Sequence, residues 1–245
     1  MSATSVVPQI LSAQADWRIS PALRQQLLEA LLPEQPATRK MTYEEFLAWA
    51  DEDTLAEWVN GEVLMTSPAS SEHQTISSFL ATVIGLYVEQ RNVGMLLMAP
   101  FQMKLEHGRE PDLIFVAHEH LDRLTKTYLD GPADLVVEII LPESIGRDRG
   151  DKFLEYARGG VPEYWLIDPQ THLAEFYHLR AGHYRLALSG DEGVYHSEVL
   201  PGFWLKVEWL WQEPLPSPLR VLGEIAGVDP QLVEQFLQAL GNKKG

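Results

Sequence analysis

The chain contains no cysteine, which excludes disulfide bonds and thiolate metal sites. It also has no run of about 18 uncharged apolar residues, so the sequence predicts no membrane-spanning helix. Residues 1–20 lack both the basic start and the continuous apolar segment of a signal peptide. We therefore expect a cytoplasmic protein without a membrane partner.

Positively charged residues are scarce as well. The chain has 19 Lys and Arg against 35 Asp and Glu, which gives a formal net charge of -16. Such a surface repels polyanions at long range and counts against tight nonspecific binding of nucleic acid. A local basic patch is still compatible with this charge, because salt screens distant charges and leaves the nearest ones dominant. The segment GRDRGDK is one such patch, with Arg147, Arg149 and Lys152 close together.

Apolar residues are plentiful: 45% of the 245 residues are hydrophobic, which is enough for a large core. We expect three regions along the chain. Residues 1–40 are predicted to form an N-terminal appendage and linker, residues 41–205 the main domain, and residues 206–245 a C-terminal helical extension. The proline-containing stretches PEQPATRK and QEPLPSP mark the two breaks.

Local patterns predict a mixed α/β main domain. Thr42 followed three residues later by Glu45 predicts a helix capping box, and Asn60 with Gly61 between two apolar segments predicts a type I′ hairpin. Apolar residues at three- and four-residue spacing predict a long amphipathic helix over residues 72–90. Strands are predicted in VGMLLMAPFQMKL, PDLIFVA, DLVVEII and EYWLID, with a helix before the last of them. This order indicates a mixed central sheet flanked by helices, followed by an antiparallel C-terminal extension.

Two carboxylates stand in unusual positions. Glu138 interrupts an apolar run typical of a buried strand, where an ionised carboxylate is normally paired, protonated or bound to a metal. Asp112 directly follows Pro111 and precedes an apolar strand, which places it at a strand edge. If the two strands are neighbours, the carboxylates converge and require a proton or a divalent cation between them. Hard oxygen ligands with open positions favour Mg²⁺ or Mn²⁺.

Four segments combine these residues in a specific order and spacing. They are AEWVNGEVLMTSPASSEH, REPDLIFV, GPADLVVEII and DRGDKFLEYARGGVPEYWLIDP. Together they resemble the Uma-type restriction endonuclease family of the PD-(D/E)XK nuclease superfamily, over roughly residues 41–205. The resemblance implies a restriction endonuclease-like core and a metal-dependent endonuclease that cleaves phosphodiester bonds, with DNA as the expected substrate.

The resemblance also implies roles for single residues. Asp112 corresponds to the aspartate of the PD element and Glu138 to the acidic residue of the (D/E)XK element, and both would hold the metal. The motif lysine should follow two residues after the acid, but Ile140 occupies that position. The resemblance suggests that Lys152, on the following helix, is the catalytic lysine instead. A solvated pair with Asp148, four residues earlier, is the alternative for this lysine.

Three further residues have two interpretations each. Glu57 and His73 align with polar positions of the family, and we consider both as additional residues that reach the metal or the substrate. The alternatives are an exposed strand residue for Glu57 and a first-turn helix residue for His73. Tyr156 lies one helical turn beyond Lys152, and core packing is the favoured interpretation.

The sequence thus favours a Mg²⁺- or Mn²⁺-dependent endonuclease that binds nucleic acid weakly or transiently because of its negative charge. Two alternatives stay open. One is a catalytically inactive binding module with the nuclease fold, favoured by the displaced lysine and by the net charge of -16. The other is a hydrolase of a small phosphoester, favoured if a closed pocket leads to Glu138. Cleavage of both DNA strands takes two active sites, so we expect a homodimer, with the apolar C-terminal segment as a helical interface.

Overall fold

The computed structural model describes residues 40–51, 54–65, 69–141 and 144–241, which belong to one unit, Lys40–Gly245. The predicted N-terminal appendage and linker lie outside these ranges, apart from Lys40, and the division into three regions stays a prediction. The α-helices are α1 Tyr43–Trp49, α2 Ser71–Arg91, α3 Lys152–Gly159, α4 Pro218–Ile225 and α5 Pro230–Gly241. Across the described part of the chain, every helix is too short or too polar to span a bilayer.

The strands are numbered β1 to β13 in chain order. The first seven are β1 Ala56–Val59, β2 Glu62–Met65, β3 Gly94–Met98, β4 Gln102–Lys104, β5 Gly108–Arg109, β6 Leu113–Ala117 and β7 Tyr128–Asp130. The others are β8 Leu135–Ile139, β9 Glu163–Asp168, β10 Leu173–Arg180, β11 His183–Gly190, β12 Val194–His196 and β13 Trp204–Lys206. Short 3₁₀ turns cover His118–Arg123 and Val207–Trp211, and a π-helical segment, Arg147–Asp151, leads directly into α3.

The strands form two larger sheets and a ribbon. The six-stranded sheet has the order β11-β10-β9-β8-β6-β3, the five-stranded sheet the order β2-β1-β5-β4-β7, and β12 pairs with β13. Strands β8 and β9 run parallel because α3 provides the crossover between them. The strand pairs after β9 are antiparallel, as predicted for the C-terminal extension. The predicted mixed α/β architecture is confirmed.

Both faces of the six-stranded sheet are covered, which explains the continuous apolar run of β8. One face packs on α2, whose predicted apolar stripe is buried as expected. The residues of β8 on that face are Leu135, Val137 and Ile139. Val136 and Ile140 lie in the core cluster on the other face, together with Tyr156 of α3. Because side chains alternate along a strand, Glu138 shares the α3-covered face with Val136 and Ile140.

Local signals near the N-terminal end of the domain are also confirmed. Thr42 and Glu45 form both hydrogen bonds of the capping box at the start of α1. Asn60 and Gly61 have φ angles of 53° and 88°, the left-handed pair that a type I′ turn between β1 and β2 requires. One expectation was too simple: the predicted strand segment from residue 93 to 105 is two strands, β3 and β4, which belong to different sheets.

The C-terminal segment continues the main core. Residues of the second 3₁₀ turn and of α4 pack in the cluster that α2 forms with the sheet. They are Val207, Trp209, Leu210, Val221 and Ile225. The predicted last helical segment is two helices, α4 and α5, separated at Gly227, whose φ of 68° is left-handed.

A pair of glycine substitutions tests the packing of β3. A Cβ atom at Gly94 would lie 2.1 Å from the carbonyl oxygen of Val116, so we expect Gly94→Ala to destabilise the fold by about 1–3 kcal/mol. At Gly85, in the middle of α2, the nearest atom would be a Leu96 methyl carbon at 3.6 Å. Gly85→Ala should therefore stabilise the fold by roughly 0.5–1 kcal/mol. Urea unfolding measures both, and equal effects of the two substitutions would contradict this packing.

Candidate functional site

The strands that carry the two predicted metal ligands are neighbours. β6 and β8 pair antiparallel with Leu113 opposite Val137, and continuing this register by one residue brings Asp112 opposite Glu138. The backbone N–H of Ile139 donates a hydrogen bond of 2.7 Å to Oδ2 of Asp112, which fixes this carboxylate beside β8. Asp112 and Glu138 line one cavity of about 190 Å³. The other polar side chains of this cavity are Glu57, His73, Gln74, Glu110, Ser144, Arg147, Asp148 and Lys152.

Lys152 reaches Glu138 from α3. Its Nζ lies 3.0 Å from Oε1 of Glu138, 2.9 Å from Oε1 of Glu57 and 3.2 Å from Oδ1 of Asp148. The side chain is buried, so this lysine is not the solvated helical residue of the alternative interpretation. Lys152 reaches this position because α3 covers the face of the six-stranded sheet from which the Glu138 side chain projects.

Tyr156 is both a core residue and part of the site. It is one helical turn after Lys152, and it is fully buried. Its hydroxyl donates a hydrogen bond of 2.8 Å to the same Oε1 of Glu138 that Lys152 contacts. Oε2 of Glu138 therefore stays clear of both donors.

Three carboxylates, those of Glu57, Glu138 and Asp148, surround the single ammonium group of Lys152. Burial raises the pKa of Glu138 well above its usual range; Lys152 acts against this, while the carboxylates of Asp148 and Asp112 add to it. Burial alone would lower the pKa of Lys152, but the three surrounding carboxylates raise it well above its usual value. Lys152 thus stays charged, and Glu138 is the group whose negative charge most needs further compensation.

A chain of alternating charges extends from Lys152 into the five-stranded sheet. Glu57, on β1, is buried and contacts Nη1 of Arg109 at 3.0 Å through its second carboxylate oxygen. Nε of Arg109 lies 2.8 Å from Glu155, whose other oxygen accepts a hydrogen bond of 2.9 Å from the backbone N–H of His107. Burial opposes ionisation of Glu57, but Lys152 and Arg109 outweigh it and lower the pKa of this carboxyl. The exposed-strand alternative for Glu57 is therefore wrong.

His73, in the first turn of α2, supports Asp112. Its Nε2 lies 3.2 Å from Oδ1 of Asp112, opposite the Oδ2 that Ile139 holds. Burial favours the neutral imidazole, but the hydrogen bond to Asp112 and its negative charge outweigh burial and raise the pKa of His73. The two predicted additional residues, Glu57 and His73, are thus both brought to the cavity.

Sequence reasoning missed two acidic residues of the cavity as site residues. Glu110 is buried and accepts hydrogen bonds from the backbone N–H of Ala56 at 3.1 Å and from Gln102 at 3.3 Å; burial raises its pKa to about 7. Its spacing of two residues from Asp112 was the available signal, since such residues tend to point to the same side. Asp148 was considered only as a solvated partner of Lys152, yet it is 1% exposed.

The donor atoms of the cavity suit a hard divalent cation. Five carboxylates line it, against the permanent cations Arg147 and Lys152. In the described ranges, no group of three or more His, Asp or Glu side chains is arranged to hold a metal ion. Two carboxylates with water and phosphate completing the coordination are the ligand set that Mg²⁺ prefers. Asp112 and Glu138 are two such carboxylates in one cavity, so their chemistry is compatible with this ion.

Comparisons with known proteins identify the family and the fold. The model of the Uma2 family, described as "Putative restriction endonuclease", matches residues 43–208. A search of the curated proteins finds no match. Among solved structures, a similar chain is a "putative nuclease belonging to DUF820 from Anabaena variabilis ATCC 29413", with a TM-score of 0.61 and 17% identity. The similarity covers 70% of this chain and 97% of that chain, and it shows a shared nuclease fold.

The charge chain generates a stability prediction. Arg109→Met leaves Glu57 and Glu155 buried with one cationic partner fewer each, so we expect a loss of about 3–5 kcal/mol in the free energy of unfolding. Arg180→Met is the matched control, because Arg180 forms an exposed pair with Glu198 and its loss should cost less than about 1 kcal/mol. Urea unfolding of both variants measures these losses. Similar losses would show that the buried ion pairs of Arg109 stabilise the fold no more than the exposed pair of Arg180 does.

The His73–Asp112 pair generates a pH prediction. In metal-free buffer, Asp112→Asn should lower the pKa of His73, because burial remains while the carboxylate charge is gone. Since the folded pKa is raised above about 6.5, the charged pair stabilises the fold fully below that pH and is lost as pH rises through the folded pKa. NMR titration of the His73 ring protons measures the shift. The exposed Asp122→Asn is the control, and an unchanged His73 in Asp112→Asn would refute the pairing.

Proposed function

The chain belongs to the Uma2 family of restriction endonuclease-like proteins, and from this premise we propose that it is a Mg²⁺- or Mn²⁺-dependent endonuclease that hydrolyses phosphodiester bonds of DNA. One observation carries the proposal. The amino group of Lys152 lies 3.0 Å from Glu138, in a cavity that Asp112 also lines. These are the two acids and the lysine that a PD-(D/E)XK site requires, although the lysine comes from α3 and not from β8.

In this proposal Asp112 and Glu138 hold the cation. When bound, the cation supplies charge that polarises a phosphate oxygen and lowers the pKa of a water molecule. His73 and the N–H of Ile139 fix the two oxygens of Asp112. Lys152 and Tyr156 both use Oε1 of Glu138, which leaves Oε2 available as a ligand.

Lys152 is proposed to act on the reacting phosphate. Its ammonium either orients the attacking water or stabilises the negative charge that develops on the phosphate oxygens. Glu57 and Asp148 hold the amino group at 2.9 and 3.2 Å, so the charge is positioned before the substrate arrives. Such fixed charges stabilise a transition state without having to reorganise during the reaction.

The quaternary structure and cellular setting belong to the same proposal. We propose that two copies act together in the cytoplasm and bind nucleic acid transiently. On α5, Leu232, Phe236 and Leu240 repeat every four residues and are each more than half exposed. This apolar stripe is a suitable contact for a second copy.

The contact of Lys152 with Glu138 weakens the argument from the displaced lysine for an inactive binding module, whereas the net charge of -16 still favours that module. The hydrolase of a small phosphoester is the second candidate. A cavity of about 190 Å³ can admit a small phosphate compound, and this observation favours including one in the test.

A cleavage assay tests the proposal. Purified protein is incubated with supercoiled plasmid, single-stranded DNA or a chromogenic phosphodiester, each with Mg²⁺, Mn²⁺ or EDTA. We expect metal-dependent nicking of DNA, lost in Glu138→Gln because the amide keeps the shape and removes the charge. Lys152→Ala should reduce the rate on the order of 10²-fold or more.

Lys104→Ala is the matched control for Lys152→Ala. Lys104 lies on β4, and its Nζ donates to the backbone carbonyls of Leu105 and Glu106 at 3.1 and 2.9 Å. We expect this variant to keep wild-type activity. A folded wild type that cleaves no substrate with either metal would support the binding module, and cleavage of the chromogenic compound alone would support the small-phosphoester hydrolase.

A further inference from the structure

Arg147 lines the cavity and has no partner among the described residues. Its Nε is buried and forms no hydrogen bond, and within the described ranges its guanidinium has no ion pair. This is unusual in a cavity with five carboxylates, because a guanidinium donates five N–H groups in a fixed fork. A buried donor without a hydrogen-bond partner destabilises the folded state, so the position of Arg147 needs a functional explanation.

Most carboxylate oxygens of the cavity already have other partners, and Oε2 of Glu138 is the exception. The partners are His73 and Ile139 for Asp112, Lys152 and Tyr156 for Glu138, and Lys152 and Arg109 for Glu57. Asp148 accepts a hydrogen bond from Ser144 and forms an ion pair with Lys152, and Glu110 accepts from Ala56 and Gln102. Arg147 is thus a cation that the internal charge network does not use.

Arg147 is the first residue of the π-helical segment, which places it at the cavity. This segment, Arg147–Asp151, connects the end of β8 to α3, and π turns are frequent at functional sites. Arg147 and Asp148 both line the cavity. Arg149, two residues further, instead pairs with Glu175 and with Asp168 on β10 and β9. The two arginines of the basic patch therefore have different surroundings.

We propose that Arg147 binds a phosphate group of the nucleic-acid backbone, at or next to the phosphate that a cation held by Asp112 and Glu138 would bind. The inference rests on the proposed function, since it assigns a phosphodiester as the ligand. A planar guanidinium matches two phosphate oxygens at once. Among the permanent cations that line the cavity in the described part of the chain, Lys152 is held by three carboxylates and Arg147 by none. Arg147 therefore offsets the repulsion between an acidic cavity and an anionic substrate.

The salt dependence of DNA binding tests this role without relying on activity. Binding of a short fluorescein-labelled DNA duplex is measured by anisotropy in EDTA and in Ca²⁺ over a series of KCl concentrations. Each phosphate contact contributes about 1 to the slope of log K against log salt concentration. Arg147→Ala should weaken binding and make this slope shallower by about 1. Arg147→Lys should keep the slope and still bind less tightly, because an ammonium lacks the fork.

Arg149→Ala is the matched control, because it removes the same charge from the same segment. Its slope should equal that of the wild type, and thermal unfolding shows that each variant is folded. An equal change of slope in Arg147→Ala and Arg149→Ala, no change in either, or a wild type that binds no DNA would overturn the assignment.

The cleavage assay separates this inference from the proposed function. We expect Arg147→Ala to raise KM for DNA more than it lowers kcat. A wild type that binds DNA with an Arg147-dependent slope but never cleaves it would overturn the nuclease and keep the phosphate site. A wild type that cleaves DNA, with slope and KM unchanged in Arg147→Ala, would overturn the phosphate site and keep the nuclease.

Discussion

The buried ammonium of Lys152 is the interaction on which the rest of the site depends. It lies within 3.2 Å of carboxylate oxygens from β1, β8 and the π-helical segment. Without this positive charge, three buried carboxylates would face one another, and removing each from bulk water is unfavourable. Glu57 belongs to the five-stranded sheet and Glu138 to the six-stranded sheet. The same ion pairs that fix the lysine therefore also join the two sheets.

Fixing the lysine requires more than its immediate partners. Glu57 can serve Lys152 with one oxygen because Arg109 balances the other, and Glu155 in turn balances Arg109. This alternation of sign keeps Glu57, Arg109 and Glu155 each next to an opposite charge, which is the condition under which buried ion pairs are tolerated. The cavity begins where this alternation ends. There, among the described residues, Oε2 of Glu138 and the guanidinium of Arg147 take no part in the ion pairs and hydrogen bonds of the site.

The sequence predicts those features whose signal lies within a few residues. The capping box at Thr42, the turn at Asn60 and the apolar stripe of α2 depend on neighbours in the chain, and the structure confirms them. Glu138 was recognisable because a carboxylate stands out in an apolar strand. The roles of Asp112, Glu138 and Lys152 in catalysis stay predictions.

Other features depend on contacts between distant segments. A lysine four residues after an aspartate has the same local pattern whether the pair is solvated or buried, and only the packing of α3 on β8 decides for Lys152. Arg109 lies on β5, which has two residues and shows no alternation of apolar and polar side chains. Its partner Glu57 is 52 positions away in the chain. No sequence window could have joined them.

The π-helical segment sets the rotational phase of α3. Each residue of an α-helix turns the following side chains by about 100°, and the wider π turn before Lys152 offsets that rotation. Lys152 and Tyr156 face Glu138 because this phase is correct. Because a π turn holds one residue more than an α turn, the segment accommodates an extra residue without changing the direction in which Lys152 and Tyr156 point. The widened turn is therefore the place where the chain adds Arg147 and Asp148 to the cavity while the apolar side of α3 stays on the sheet.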